Sequence, residues 1–189
     1  MSIYKLKGDI KNYWTFFIDA TEIAMKMGDN FDLDYDGISK LSWWKPVDGS
    51  FHQEDENKTK KVAIPDIDIW SSNLVLNEKA KEVLLPYIES LGELLPVNCE
   101  GISYNLFNTM NVIDDSAVDK ENSQRIEEQG IFMGIESLQF FEDKVSEKSY
   151  LFRTSFDNYV DVYCNESFKE IVEKARLKGL CFEAELDKY

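Results

Sequence analysis

The chain has 189 residues and a mass of 22.0 kDa, with 43% hydrophobic, 13% aromatic and 30% charged residues. A folded chain of this size buries roughly 70% of its extended surface, so it sustains a core without disulfides, and its composition excludes disordered, collagen-like and coiled-coil classes. Thirty-six acidic against 21 basic residues leave a net charge of −15, shared between the two halves of the chain rather than gathered in a tail, which disfavours nucleic acid and anionic membranes and favours a basic partner.

The first residues, Met1 to Trp14, contain no apolar run of signal-peptide length, and no stretch is long enough to span a bilayer, which implies a cytoplasmic protein. Tyr13 to Ile18 reads as extended. Phe31, Leu33 and Tyr35 then alternate with Asp32, Asp34 and Asp36, the period of a strand with one apolar and one carboxylate face. The string Asp32-x-Asp34-x-Asp36-Gly37 also resembles the start of an EF-hand loop, but loop position 12 is Trp43 and cannot supply the bidentate carboxylate that calcium requires. The carboxylate stripe has two readings, a charged edge strand protected against aggregation or a contact surface for a basic partner. Trp43 and Trp44 are adjacent; on a strand they point to opposite faces, one to the core and one to a partner.

The only histidine, His52, precedes a polar run from Gln53 to Lys61 that reads as a linker, with His52 as a solvated loop residue. This places a β-rich N-terminal region over residues 1–61 and an α/β domain over 62–189, or a single continuous domain. Asp66 and Asp68 alternate with Ile67 and Ile69, and Asp114 and Asp115 are neighbours. Clustered carboxylates of this kind suit two-metal hydrolysis, and a metal-dependent hydrolase is the rival functional reading. No dinucleotide, phosphate-loop or metalloprotease motif occurs.

Asn77 is a good N-cap for a helix whose Ala80, Val83, Leu84, Tyr87, Ile88 and Leu91 share a face; Pro86, costing about 3 kcal/mol in a regular interior, predicts a kink or break before Gly92. Strands follow at Glu93 to Val97 and Tyr104 to Ile113, a short polar helix at Lys120 to Gln129, an apolar segment of undetermined type at Ile131 to Phe141, and strands at Ser149 to Thr154 and Tyr159 to Cys164. Ser167 and Glu170 form a capping box for a helix carrying Phe168, Ile171, Val172 and Ala175 on one face, Gly179 closes it, and Leu180 to Leu186 alternates as a strand. The fold class is therefore α+β, with a β-rich N-terminal part and a mixed C-terminal part ending strand–helix–strand. Cys99, Cys164 and Cys181 lack metal or redox spacing and read as small buried hydrophobes.

Residues 93–123, 149–155 and 160–186 together resemble a bacterial family, the immunity protein eleven family, once filed as a domain of unknown function. The resemblance rests on Leu95, Pro96 and Val97; on Asn111, Val112, Asp119 and Ser123; on Phe152 and Arg153; and on Ser167, Phe168, Lys169, Leu177, Gly179 and Phe182. It spans roughly residues 62–187. Where the family tends to have Ala-Leu-Asp, this chain has Ala117, Val118 and Asp119. The resemblance implies a protein that binds and neutralises a cognate toxin, with no cofactor and no catalytic residue. Asp119 and Ser123 are the polar part of the signature, read here as a turn-forming Asp and a helix-starting Ser. The first 60 residues carry no part of the resemblance, and self-association is left open.

Overall fold

The computed structural model describes residues 2–28, 37–53, 63–184 and 186. β1 (Ile3–Gly8) sits between strands from the far end of the chain, pairing antiparallel with β11 (Tyr163–Asn165) and β12 (Leu180–Glu183); β10 (Leu151–Phe152) completes this four-stranded sheet beside β11. A six-stranded sheet runs in the order β2 (Thr15–Ile18), β3 (Val47–His52), β6 (Gly92–Cys99), β7 (Ile102–Thr109), β5 (Asn73–Leu76), β4 (Ile67–Trp70), with β3–β6 parallel and the other pairs antiparallel. Strands of residues 1–61 thus enter both sheets. Among the described residues, β8 (Gln124–Glu128) and β9 (Ile131–Ser137) pair only with each other. With α1 (Ala20–Met27), α2 (Glu78–Ile88) and α3 (Glu166–Lys174), this is the expected α+β fold.

Three hairpins turn in the same way. Ser71-Ser72, Glu100-Gly101 and Gln129-Gly130 are two-residue loops in which both residues have positive φ, the type I′ geometry whose twist matches that of antiparallel strands. The Gln129-Gly130 turn replaces the polar helix expected over Lys120 to Gln129 with β8, and settles Ile131 to Phe141 as β9 followed by loop. Local helix propensity in that polar stretch is a weak preference, and the cross-strand ladder overrides it.

The six-stranded sheet curls until its two edge strands meet. Asp68 of β4 is buried, and its Oδ2 accepts a hydrogen bond from the Phe16 amide of β2 at 2.6 Å, while the Trp14 amide donates to the Ala63 carbonyl at 3.1 Å. A carboxylate here occupies the place of a ladder partner, so β2 does not present an open edge at this point. One hydrophobic cluster (Phe16, Ile18, Val47, Leu95, Val97, Leu106) lies under α1, which contributes Ile23 and Met27. α1 was not anticipated from residue order; these are its two buried apolar side chains, Glu22 adds a bond from the Asp48 amide at 2.7 Å, and Asp19 caps it by accepting from the Thr21 amide. A second cluster joins the two large sheets to α2 and α3 through Leu6, Leu76, Leu84, Phe107, Phe168 and Val172. A third, with Ile3, Val118, Ile135, Phe152 and Tyr163, lies beneath the β8–β9 hairpin.

Asn77 caps α2 as expected, accepting from the Ala80 amide at 2.8 Å. Pro86 does not break the helix, which runs on to Ile88 and then tightens into a 3-10 turn at Glu89–Leu91. At the C-terminal helix the cap is Asn165, not Ser167: its Oδ1 accepts from the Phe168 amide at 3.0 Å. Arg176, not Gly179, is the left-handed residue that ends α3 (φ 54°), with Leu177 N bonded to Val172 O and Arg176 N to Glu173 O in a Schellman arrangement. Gly179 (φ 115°) instead admits a close approach, since a Cβ there would lie 2.1 Å from the Ile67 carbonyl oxygen. The strand expected from Tyr159 begins only at Tyr163, because Asn158 and Tyr159 both have positive φ. Cys99 and Cys164 are buried, but Cys181 faces solvent on β12, against the expectation for all three. No helix among the described residues is long and apolar enough to cross a membrane.

Candidate functional site

Asp32, Asp34 and Asp36 lie outside the described residues; the segment immediately after them is described. From Gly37 to Pro46 the chain forms a loop held to the six-stranded sheet by one buried carboxylate. Glu93 of β6 shares the inward phase of Leu95, Val97 and Cys99, and it accepts from Ser39 Oγ at 2.6 Å, the Lys40 amide at 2.6 Å and Asn108 Nδ2 at 3.0 Å. Asn108 Nδ2 also reaches the Ile38 carbonyl at 3.0 Å. A buried carboxylate is tolerated only when its oxygens are matched by donors, and here two of those donors, Ser39 Oγ and the Lys40 amide, belong to the loop while Asn108 of β7 supplies the third. The signal for it in residue order is an acid in step with buried hydrophobes.

This loop carries Trp43 and Trp44. They are not on a strand and do not point to opposite faces: they occupy a turn, both half-buried, and both lie against the cluster under α1. A turn sets successive side chains by its own dihedrals, so the period-two expectation does not apply. Trp44 Nε1 donates to the Pro96 carbonyl at 3.0 Å. Pro96 precedes the stretch of β6 that pairs with β3, so its missing N–H costs no ladder bond on that side and its carbonyl is free to accept from the indole. The Lys40 ammonium lies 5.9 Å from the centre of the Trp43 ring. Ile38 and Leu41, at 61% and 56% exposure, stand out from the same loop. The result is a fixed loop with a part-exposed aromatic and aliphatic surface.

The signature residues of the second half converge on an internal seam. Asn111 and Val112 run beside Phe152 and Arg153: the Arg153 amide donates to the Asn111 carbonyl at 2.9 Å, and Asn111 Nδ2 donates to the Leu151 carbonyl at 2.8 Å. Phe152 is wholly buried. Arg153 is also wholly buried, and its guanidinium donates to the carbonyls of Thr109 (2.9 Å), Tyr159 (2.8 Å) and Ser72. One planar fork therefore ties together the end of β7, the left-handed turn at 158–159 and the β4–β5 loop. Near this seam Asp157 is buried, accepting from Tyr163 OH at 2.7 Å and the Asp161 amide at 3.2 Å, while its Oδ1 has no hydrogen-bond partner among the described residues. Burial, reinforced by the nearby Asp161, pushes its carboxyl up to about 6.

Asp119 behaves as the turn residue expected. It accepts from the Asn122 side chain at 2.8 Å and from the amides of Glu121 and Asn122, and these bonds, led by the Asn122 side chain, hold its carboxyl below the usual range. Ser123 starts a strand, not a helix; its Oγ accepts from the Gln139 amide at 2.9 Å and pins the base of the β8–β9 hairpin.

The acidic pairs that suggested metal chemistry serve the fold. Asp66 accepts from Asn77 Nδ2, Lys79 Nζ and the Lys178 amide, each at 3.0 Å. Burial alone raises its carboxyl, and those bonds outweigh burial and hold it low. Asp114 caps a 3-10 turn through the Ser116 amide, and Asp115 accepts from Ser155 Oγ and Lys120 Nζ. Among the described residues no group of three His, Cys, Asp or Glu side chains is placed to hold a metal ion. His52 is the last residue of β3 rather than a loop residue; it is exposed, within 2.7 Å of Ser50 Oγ.

No curated protein matches the chain. The model of an immunity protein family (Imm11) matches residues 97–186, a stretch that runs from the second half of β6 through β12, takes in the Arg153 seam, Asp119, Ser123 and Gly179, and leaves Pro96 one residue outside. Over that stretch the chain carries the pattern of the immunity protein family that its motifs resemble.

Proposed function

We propose that this chain is an immunity protein that binds a cognate bacterial toxin domain and neutralises it without catalysis, in the cytoplasm of the cell that makes the toxin. The match of residues 97–186 to the immunity family is the observation that carries this reading. Within it, the net charge of −15 attracts a basic toxin, and electrostatic complementarity acts mainly on the rate of encounter. The loop bearing Trp43 and Trp44 offers part-exposed aromatics on a fixed backbone, the kind of anchor that dominates binding energy at interfaces. Asp32, Asp34 and Asp36, directly before that loop in sequence, add three negative charges to this stretch of the chain.

The test identifies a toxin gene directly upstream of the chain and measures association kinetics against its toxin domain from about 0.1 M to 1 M salt, over which the Debye length falls from about 10 Å to about 3 Å. Steering predicts an association rate that falls across this range. The triple change Asp32→Asn, Asp34→Asn, Asp36→Asn flattens that slope with little effect on dissociation, whereas Trp43→Ala or Trp44→Ala speeds dissociation. A chain that neither binds that toxin nor protects cells expressing it is not its immunity protein. Magnesium- or manganese-dependent turnover of nucleotides, esters or peptides by the purified chain would favour the rival hydrolase.

A further inference from the structure

We propose that the outer face of the β8–β9 hairpin, where exposed Ile126, Ile131 and Met133 lie among Glu128 and Glu136, is a docking surface for a basic segment of the toxin; this rests on the immunity reading above.

Among the described residues the hairpin is paired only within itself, and its two faces differ sharply. Arg125 pairs with Ile135, and Glu127 with Phe132, on the inner face. There Ile135 is buried, Phe132 packs on the third cluster, and the Arg125 guanidinium lies 4.9 Å from the Phe132 ring and 3.1 Å from Glu127. Ile126 pairs with Gly134, and Glu128 with Ile131, so these leave on the opposite face. The register shift between Ile126 and Glu127 makes Met133 an extra, unpaired residue, a bulge that adds a third exposed apolar side chain. Exposure is 42% for Ile126, 65% for Ile131 and 57% for Met133.

Single exposed hydrophobes are ordinary, but three on one small hairpin form a patch of the kind that marks an interaction site. A two-stranded hairpin is marginal by itself, and this one is held by its inner face, by Arg125 Nη2 on Asn158 Oδ1 at 3.1 Å and by the Ser123–Gln139 contact, so the fold does not draw on the outer residues. Charge selects the occupant. The hairpin's one basic residue, Arg125, is engaged on the inner face, which leaves Glu128, paired on the outer face, and exposed Glu136, at the second register shift, as the charges beside the patch. A second copy of this chain would oppose acid to acid around the patch, on a protein already at −15. A basic partner with apolar side chains meets both features, and the hairpin lies wholly within the residues that match the immunity family.

The experiment measures binding of the upstream-encoded toxin domain by surface plasmon resonance, with the oligomeric state followed by light scattering. The pair Ile131→Ser with Met133→Ser is expected to speed dissociation about tenfold, as loss of an apolar anchor does. The pair Glu128→Lys with Glu136→Lys is expected to slow association about tenfold at low salt and to leave the inner face intact, which keeps the test valid should the serine pair weaken the hairpin. Wild type that binds while both pairs stay within about twofold of it overturns this assignment and leaves the immunity reading standing. A wild-type dimer that the serine pair converts to monomer, at unchanged toxin affinity, makes a second copy the occupant and also overturns it. Wild type that fails to bind the toxin removes the immunity reading and this inference with it.

Discussion

Replacing Gly179 with alanine tests the junction where the end of α3 meets β4. Gly179 has φ 115°, and a Cβ built there would stand 2.1 Å from the Ile67 carbonyl oxygen and 2.4 Å from Pro65 Cβ. Neither neighbour yields easily. The amides of Asp66 and Ile67 both donate to the Lys178 carbonyl, at 2.8 and 3.0 Å, and the Asp9 amide donates to the Gly179 carbonyl at 2.8 Å. An L-residue at such a φ costs about 1–3 kcal/mol, and forcing a methyl group into filled space costs about 1–3 kcal/mol more. The expected loss is therefore about 2–6 kcal/mol, a large share of the stability of a typical domain, which is about 5–15 kcal/mol. For a chain of this length each kcal/mol moves the melting temperature by about 2–4 °C, so Gly179→Ala should melt about 4–24 °C below wild type. Gly130→Ala is the control: φ is 80°, but nothing lies within 4 Å of its Cβ, so only the backbone term of about 1–2 kcal/mol applies. Urea denaturation with unchanged m-value gives both losses directly. Equal losses for the two variants would refute the close-approach argument.

Three further outcomes are expected. Asp157, with its carboxyl near 6 in the folded chain against 3.8 when free, binds its proton more tightly folded than unfolded, so its contribution to stability is present at low pH and is lost as pH rises from about 4 through 6. Asp157→Asn should then gain on wild type by about 2–3 kcal/mol between pH 4 and pH 7 in paired denaturation curves, and a difference that does not change with pH would contradict the burial argument. Asn165→Ala should cost about 1–2 kcal/mol while Ser167→Ala stays within about 0.5 kcal/mol, and the reverse order would restore Ser167 as the cap. A thiol reagent should label Cys181 in the native chain and reach Cys99 and Cys164 only on unfolding, as read by mass spectrometry of the labelled peptides.

Residue order made legible those features whose free energy is local. The Asn77 cap of α2 and the apolar phase of α3 depend on neighbours within a few positions and appear where the pattern puts them, while the strands of β6, β7 and β11 appear with shifted ends. The immunity-family motifs were legible for a related reason: they are short runs in a set order. Where local signals competed, the pattern misled. The stretch before Gln129 favours helix only slightly, and pairing with β9 outweighs it; Ser167 and Asn165 both suit a cap, and the ladder to β1 ends at Asn165. The site depended on contacts between residues far apart in sequence. Glu93 fixes the tryptophan loop across 53 residues, Asp68 joins β4 to β2 across 52, and Arg153 reaches Ser72 across 81. Beyond the phase that Glu93 shares with buried hydrophobes, the immediate sequence of these residues does not say whether the charge will be solvated or buried, because burial becomes favourable only when donors and acceptors from distant segments arrive together. Tertiary structure therefore turned the second-half signature into an internal staple, and left the tryptophan loop and the outer face of the β8–β9 hairpin as the surfaces that meet solvent.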